Sequence, residues 1–192
     1  FFKREARPSE HEILVSRLID GALRPLFPSD FHAEIQVAVT LISADREVSP
    51  EALACLAASA AITVSDLPFH GPISEVRVGR INGKLVANPT YVELAEADID
   101  MTVAASVENI VMVEGELKEA SEADMLEAIK FAHDSIKIQC QAQIELAAMV
   151  EKAKVKREYC HETSDPELQA SALAFCYDRY YEVAKSGIAN KH

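Results

Sequence analysis

Three groups of residues in this sequence are of types that do chemistry. Glu114 and Glu116 stand two apart, so on a strand both point to the same side, as paired carboxylates for proton transfer must. No lysine, histidine or serine nucleophile has a spacing that completes a site with them, and the pair reads as a solvated face. Cys160, His161, Cys176 and His133 are metal-ligating types without the regular spacing of a zinc site, and read as packing and capping residues. Phe1, Phe2, Lys3 and Arg4 form the third group. Aromatic rings stack on bases while cationic side chains follow phosphates, so this adjacency suits a single-stranded nucleic acid.

The elements that position these residues follow from local signals. Ser9 precedes Glu12 by three, a reciprocal capping box, so a helix is predicted to start there. Ile13, Leu14, Leu18, Ala22 and Leu23 give it an apolar face. Arg17, Asp20 and Arg24 share another side, with Arg17 expected to pair with Asp20. Pro25 is expected to end the helix near Arg24. Residues 34 to 43 alternate, Ile35, Val37, Val39 and Leu41 pointing one way, which predicts a strand. Ser49 and Pro50 open a helix rich in small residues that can approach a sheet closely.

A hairpin is predicted from Ile73 to Pro89, turning at Asn82-Gly83, a pair that tolerates positive φ. Ile99, Met101, Val103 and Ala105 make another strand, paired with residues 110 to 116 across a turn near Glu108-Asn109. Ser121 and Asp124 cap a long helix running towards Lys152, with Met125, Leu126, Ile129 and Ile136 as its core stripe. Ser164, Asp165 and Pro166 start a last helix, with Leu168, Phe175 and Val183 on its apolar side and Gly187 as its stop.

A chain of 192 residues, 49% apolar, can bury one ordinary core, here with a smaller helical appendage. No apolar run is long enough to span a bilayer and no leader pattern opens the chain, which points away from a membrane and to the cytoplasm. Four cysteines without paired spacing are expected to be reduced. Two aromatics at the very start predict a piece of a longer chain. The net charge is −12, yet residues 93 to 127 alone hold eleven acids against Lys118, while residues 1 to 28 are +1. A basic tip on an acidic body suits a guided single strand better than general nucleic-acid affinity.

The opening FFKREARPSEHEILVSRLIDGALRPLFP resembles the polynucleotide phosphorylase family. The likeness continues through ASAAITVSDLPFHGPI, VRVGRINGKLVANPTY and MVEGE, covering roughly residues 1 to 150. One departure is Gly21-Ala22, where the family usually has Arg-Pro. The resemblance implies an α/β (α+β) RNase PH-like domain of mixed sheet packed on helices over residues 1–150, followed by the start of an all-helical linker over 151–192. It implies a parent enzyme that removes nucleoside diphosphates from an RNA 3′ end with phosphate and Mg2+. It further implies a homotrimeric ring, possible membership of an RNA-degradation complex, and an entrance at which Phe1, Phe2, Lys3, Arg4, Arg24 and Arg77 meet RNA.

The resemblance also implies that this first domain is not the catalytic one. Where the active domain holds phosphate at a serine-rich helix start, this chain reads Ser49-Pro50-Glu51. Proline removes an N–H and glutamate repels an anion. Asp100 matches one of the two metal-holding aspartates, while Leu94 and Thr102 stand at the positions of the other aspartate and the lysine. A lone carboxylate is a poor metal site, so no catalytic residue, bound metal or bound phosphate is expected in this piece. The alternative is an acidic trimerisation or partner-binding scaffold that makes no RNA contact.

Overall fold

The computed structural model describes residues 8–161 and 163–188. Helix α1 spans Glu10–Leu23 and starts on the predicted box: Ser9 Oγ accepts the Glu12 N–H, and the Glu12 carboxylate accepts the Ser9 N–H. Pro25 stops the α-helix, and the chain tightens into a 3-10 turn over Arg24–Leu26. The buried residues are Ile19, Ala22 and Leu23, whereas Ile13 and Leu14 are about half exposed. The expected apolar face therefore holds only from the second turn onward. The first turn lies beside an open cleft, where His11 reaches Glu51 and Leu14 is only part of a wall.

Residues 34 to 43 are a correction. Their alternation predicts a strand, but among the described residues they join no ladder, and Val37, Val39, Leu41 and Ile42 are exposed. Alternation reports a chain shaped to be half covered, and a strand also needs a hydrogen-bonding neighbour on at least one edge.

Helix α2 spans Glu51–Thr63, and its first N–H leans on Ser49 Oγ at 3.4 Å. Strands β1 (Ser74–Ile81) and β2 (Lys84–Ala87) form the predicted hairpin, with Asn82 and Gly83 at φ 50° and 76°. A short helix α3, Tyr91–Glu96, follows, and then β3 (Ile99–Ala105) and β4 (Ile110–Leu117). The order is β2-β1-β3-β4, antiparallel at every pairing. The α/β class stands, but the sheet of described strands is not mixed. Its connections are short turns and one short helix, too short for a parallel crossover.

Both faces of the central strands β1 and β3 are covered. Helix α4, Glu122–Met149, is capped reciprocally by Ser121 and Asp124 and lays Ala128, Ala132, Ile136 and Cys140 against Val76, Val78, Met101 and Val103. The stripe runs every fourth residue. Met125 and Ile129 flank it, and Leu126, expected within it, is exposed because it falls on the next face round. On the opposite face Ile19, Ala22, Leu23, Cys55, Ala58 and Ile62 pack on Ile73 and Ala104.

After α4 the chain breaks at Val150 and makes one more turn, α5, Glu151–Lys154. It then returns to the body. Arg157 donates its N–H to the Asp66 carbonyl and its guanidinium to the Asp66 carboxylate, each at 2.8 Å. Lys156 Nζ reaches the Ser65 carbonyl at 2.8 Å, and the Tyr159 hydroxyl bonds Asp30 at 2.9 Å.

The chain divides into two compact units after Tyr159. The second contains α6, Pro166–Lys185, started by Asp165, whose carboxylate accepts the Glu167 and Leu168 N–H groups, and followed by Gly187 at φ 64°. Arg179 lies over the Phe175 ring at 4.5 Å, and Tyr177 stacks on Tyr181. No described helix is long and apolar enough to cross a membrane.

Candidate functional site

The polar chemistry of the first unit gathers where α1, the start of α2 and one face of the sheet meet. A cleft of about 430 Å³ opens there, walled by Leu14 and Leu18 of α1, Glu51 of α2 and Arg77, Asp100 and Thr102 of the sheet. Strand alternation puts Glu75, Arg77, Asp100, Thr102, Glu114 and Glu116 on this face, since Thr102 stands opposite both Arg77 and Glu114, and Asp100 opposite Glu116. The predicted same-side placement of Glu114 and Glu116 is thus present, and both are exposed at the cleft mouth.

Arg77 is the hub. Its Nε and Nη2 each donate to one Asp100 oxygen at 2.8 Å, and Nη1 reaches Glu51 at 3.3 Å. The Asp100 hydrogen bonds are the main reason the Arg77 guanidinium holds its proton even more firmly than usual. The second Glu51 oxygen lies 3.3 Å from His11 Nε2. Four carboxylates therefore face one arginine in the cleft, and the balance is acidic.

Helix α2 meets β1 along a polar seam. Glu51, Cys55 and Ser59 recur every four residues on one side of α2, and opposite them stand Arg77, Glu75 and Ile73, every second residue of the strand side. Ser59 Oγ accepts the Ile73 N–H at 3.0 Å, and Glu51 meets Arg77. In the middle rung the Cys55 thiol faces the Glu75 carboxyl. Glu75 is 2% exposed, and its Oε2 has no partner among the described residues. Burial, with a smaller contribution from the Glu51 charge, pushes its pKa up to about 7, against the opposing influence of the Cys55 thiol. Burial likewise pushes the Cys55 thiol far up, so it stays neutral.

This arrangement does not fit a phosphate or a metal ion. An anion at the α2 start would meet the Glu51 carboxylate already seated there. Both Asp100 oxygens are taken by Arg77, with Thr102 beside it, and Leu94 of α3 comes near Gly79. Among the described residues no group of three His, Cys, Asp or Glu side chains could hold a metal. His133 instead bonds the Ser106 carbonyl at 3.0 Å.

Of the other expected site residues, Arg24 does not line this cleft. Phe1, Phe2, Lys3 and Arg4 lie outside the described residues. Arg24 sits at the exposed end of α1, its guanidinium donating three hydrogen bonds to Asp20 at 2.7 to 3.1 Å. Asp20 therefore pairs with Arg24 and not with Arg17, since an acid four residues before a base is the better helical spacing. Sequence reasoning missed Glu75. Its only signal was a charge inside a strand whose two faces both turn out to be covered.

This sheet, with α4 on one face, two helices on the other and a polar cleft between, meets its counterpart in sequence comparison. Residues 1–68 match the 3′ exoribonuclease family, domain 1, and residues 71–135 match domain 2 of the same family. The chain belongs to this family. Over all 192 residues it is 59% identical to a polyribonucleotide nucleotidyltransferase of Bacteroides fragilis. It is 58% identical over the same length to that of Parabacteroides distasonis and 54% to that of Cytophaga hutchinsonii. The chain spans 26 to 27% of the length of these relatives.

Proposed function

We propose that this chain is the non-catalytic, RNA-guiding part of the first RNase PH-like domain of a cytoplasmic polyribonucleotide nucleotidyltransferase, over residues 1–150, with the start of the helical linker over 151–192. In the whole protein, inorganic phosphate attacks the last phosphodiester of an RNA 3′ end, releasing a nucleoside diphosphate and leaving a chain one residue shorter. The whole protein needs Mg2+, works as a homotrimer, and can join a larger RNA-degrading assembly. The observation that carries the non-catalytic reading is Arg77, which occupies both oxygens of Asp100 and reaches Glu51, where a working site would offer room to a cation and a phosphate. The purified chain, given RNA, phosphate and Mg2+, is expected to release no nucleoside diphosphate. Release that a chelator abolishes would overturn this reading.

RNA contact falls to Phe1, Phe2, Lys3, Arg4, Arg24 and Arg77. Arg24 is the more available of the two helix and sheet arginines, being exposed at the end of α1, whereas Arg77 would have to leave two carboxylates. In the ring-forming parent, replacing Lys3 and Arg4 by alanine is expected to weaken single-stranded RNA binding and flatten its salt slope by roughly one to two units. Replacing Phe1 and Phe2 removes stacking worth about 1 to 3 kcal/mol per base with the slope nearly unchanged. Turnover of a saturating short substrate stays largely intact in both.

The acidic stretch from 93 to 127 favours a second reading, a scaffold that trimerises or binds partners without touching RNA. Unchanged RNA affinity in both double variants, at low and moderate salt, would leave that reading standing.

A further inference from the structure

The middle rung of the α2–β1 seam has no role in holding RNA or in completing a catalytic site, yet it buries a carboxyl with an unpartnered oxygen. We propose that Glu75 is a proton-controlled latch: protonated, it lets α2 close on the sheet, and ionised, it loosens the α2 start that lines the cleft. The geometry gives the reason. Glu75 lies on the same side of β1 as Arg77, two residues away, and faces α2 between the rungs of Glu51 and Ser59. A full negative charge there is buried without a counter-ion and repels Glu51, the residue through which α2 holds Arg77 and so the sheet.

The groups that face Glu75 are few. Helix α2 presents Cys55 and Glu51, and β1 presents Arg77. Across the ladder β3 presents Ala104 and, one pair further, Thr102. Helix α1 contributes His11, through Glu51, while α4 lies on the other face of the sheet, where its Cys140, a thiol pushed up by burial, bonds the Pro72 and Ala105 carbonyls. Of these groups it is Glu75 whose surroundings carry its titration towards neutral pH. The raised carboxyl binds its proton more tightly in the closed state than in the open one. Closing is therefore fully favoured below the ordinary carboxyl range and is weakened as pH rises through about 7.

Amide hydrogen exchange on the 192-residue chain tests this, with rates corrected for the intrinsic pH dependence. The opening equilibrium for the amides of Cys55 to Ser59 is expected to rise about tenfold between pH 6 and pH 8, as linkage gives for a carboxyl moved from its ordinary value to about 7. In Glu75→Gln, which keeps His11, these amides are expected to lose that dependence, while those around Ile136 in α4 stay unchanged in both proteins. Flat protection in the wild type, the same slope in the variant, or a loss spread equally over α4 would each overturn the latch. Should the variant fail to fold, infrared spectra of the wild type decide. A neutral-carboxyl band present at pH 6 and gone at pH 8 supports the latch, and its absence at pH 6 overturns it.

Discussion

Gly115→Ala is expected to destabilise the chain by more than about 3 kcal/mol, the upper end of what overpacking costs. A Cβ at Gly115 would stand 2.3 Å from the Asp100 carbonyl oxygen and 2.6 Å from the Met101 Cα. Both are backbone atoms of β3, in the middle of the sheet, so no side-chain rotation relieves the overlap. The strands would have to part, and with them the Asp100 carboxylate would leave Arg77. Gly21→Ala is the matched control. A Cβ there meets only Met112 Sδ at 3.9 Å, and removing a glycine from the body of α1 is expected to add about 0.5 to 1 kcal/mol. Urea unfolding followed by circular dichroism measures both. An unchanged midpoint for Gly115→Ala would show that the two strands do not approach as closely as described.

Arg77→Met is expected to cost about 2 to 3 kcal/mol at neutral pH, discounted from the value for fully buried pairs because a quarter of the Arg77 side chain is exposed. The loss comes less from the missing guanidinium than from what it leaves behind: Glu51, 11% exposed, and Asp100, 32% exposed, within one cleft and without their counter-ion. Adding Glu51→Gln and Asp100→Asn to Arg77→Met should recover part of the stability at neutral pH. Lysine would be a poor replacement, since one ammonium cannot serve both Asp100 oxygens and Glu51 in a fork. A cost below about 0.5 kcal/mol at both neutral and acidic pH would make Arg77 a surface cation, free to follow RNA.

What was legible in the sequence was what short-range chemistry decides. The Ser9/Glu12 and Ser121/Asp124 boxes, the Asn82-Gly83 turn and the interior of β3 each depend on residues within a few positions of one another. A third box, Thr90 with Glu93, carried the same signal for α3 and was passed over between two stronger strands. Relations between elements were not legible. Arg77 and Asp100 stand out singly, but their bond depends on the register of β1 against β3, which periodicity leaves open. The same holds for Leu126, left outside a stripe whose phase is set by where α4 crosses the sheet. It holds for residues 34 to 43 as well, whose alternation is real although no described strand lies beside them. In the cleft, sequence reasoning singled out Glu51, Asp100 and Thr102 one by one, and the structure brings them to one face. It did not find that Glu51 and Arg77 close the space between them.

The return of residues 156–159 to the body has a mechanical side. Tension applied to the chain beyond Tyr159 loads the Tyr159–Asp30 bond, the paired side-chain bonds of Arg157 to Asp66 and Lys156 on Ser65 before it reaches α5 and the end of α4. Bonds loaded one after another yield singly, like stitches unpicked from one end, whereas strands sheared along their length must give way together. The segment therefore behaves as a sacrificial tether. A tug arriving from downstream is spent on a few side chains at Asp30 and Asp66 before any strain reaches the sheet.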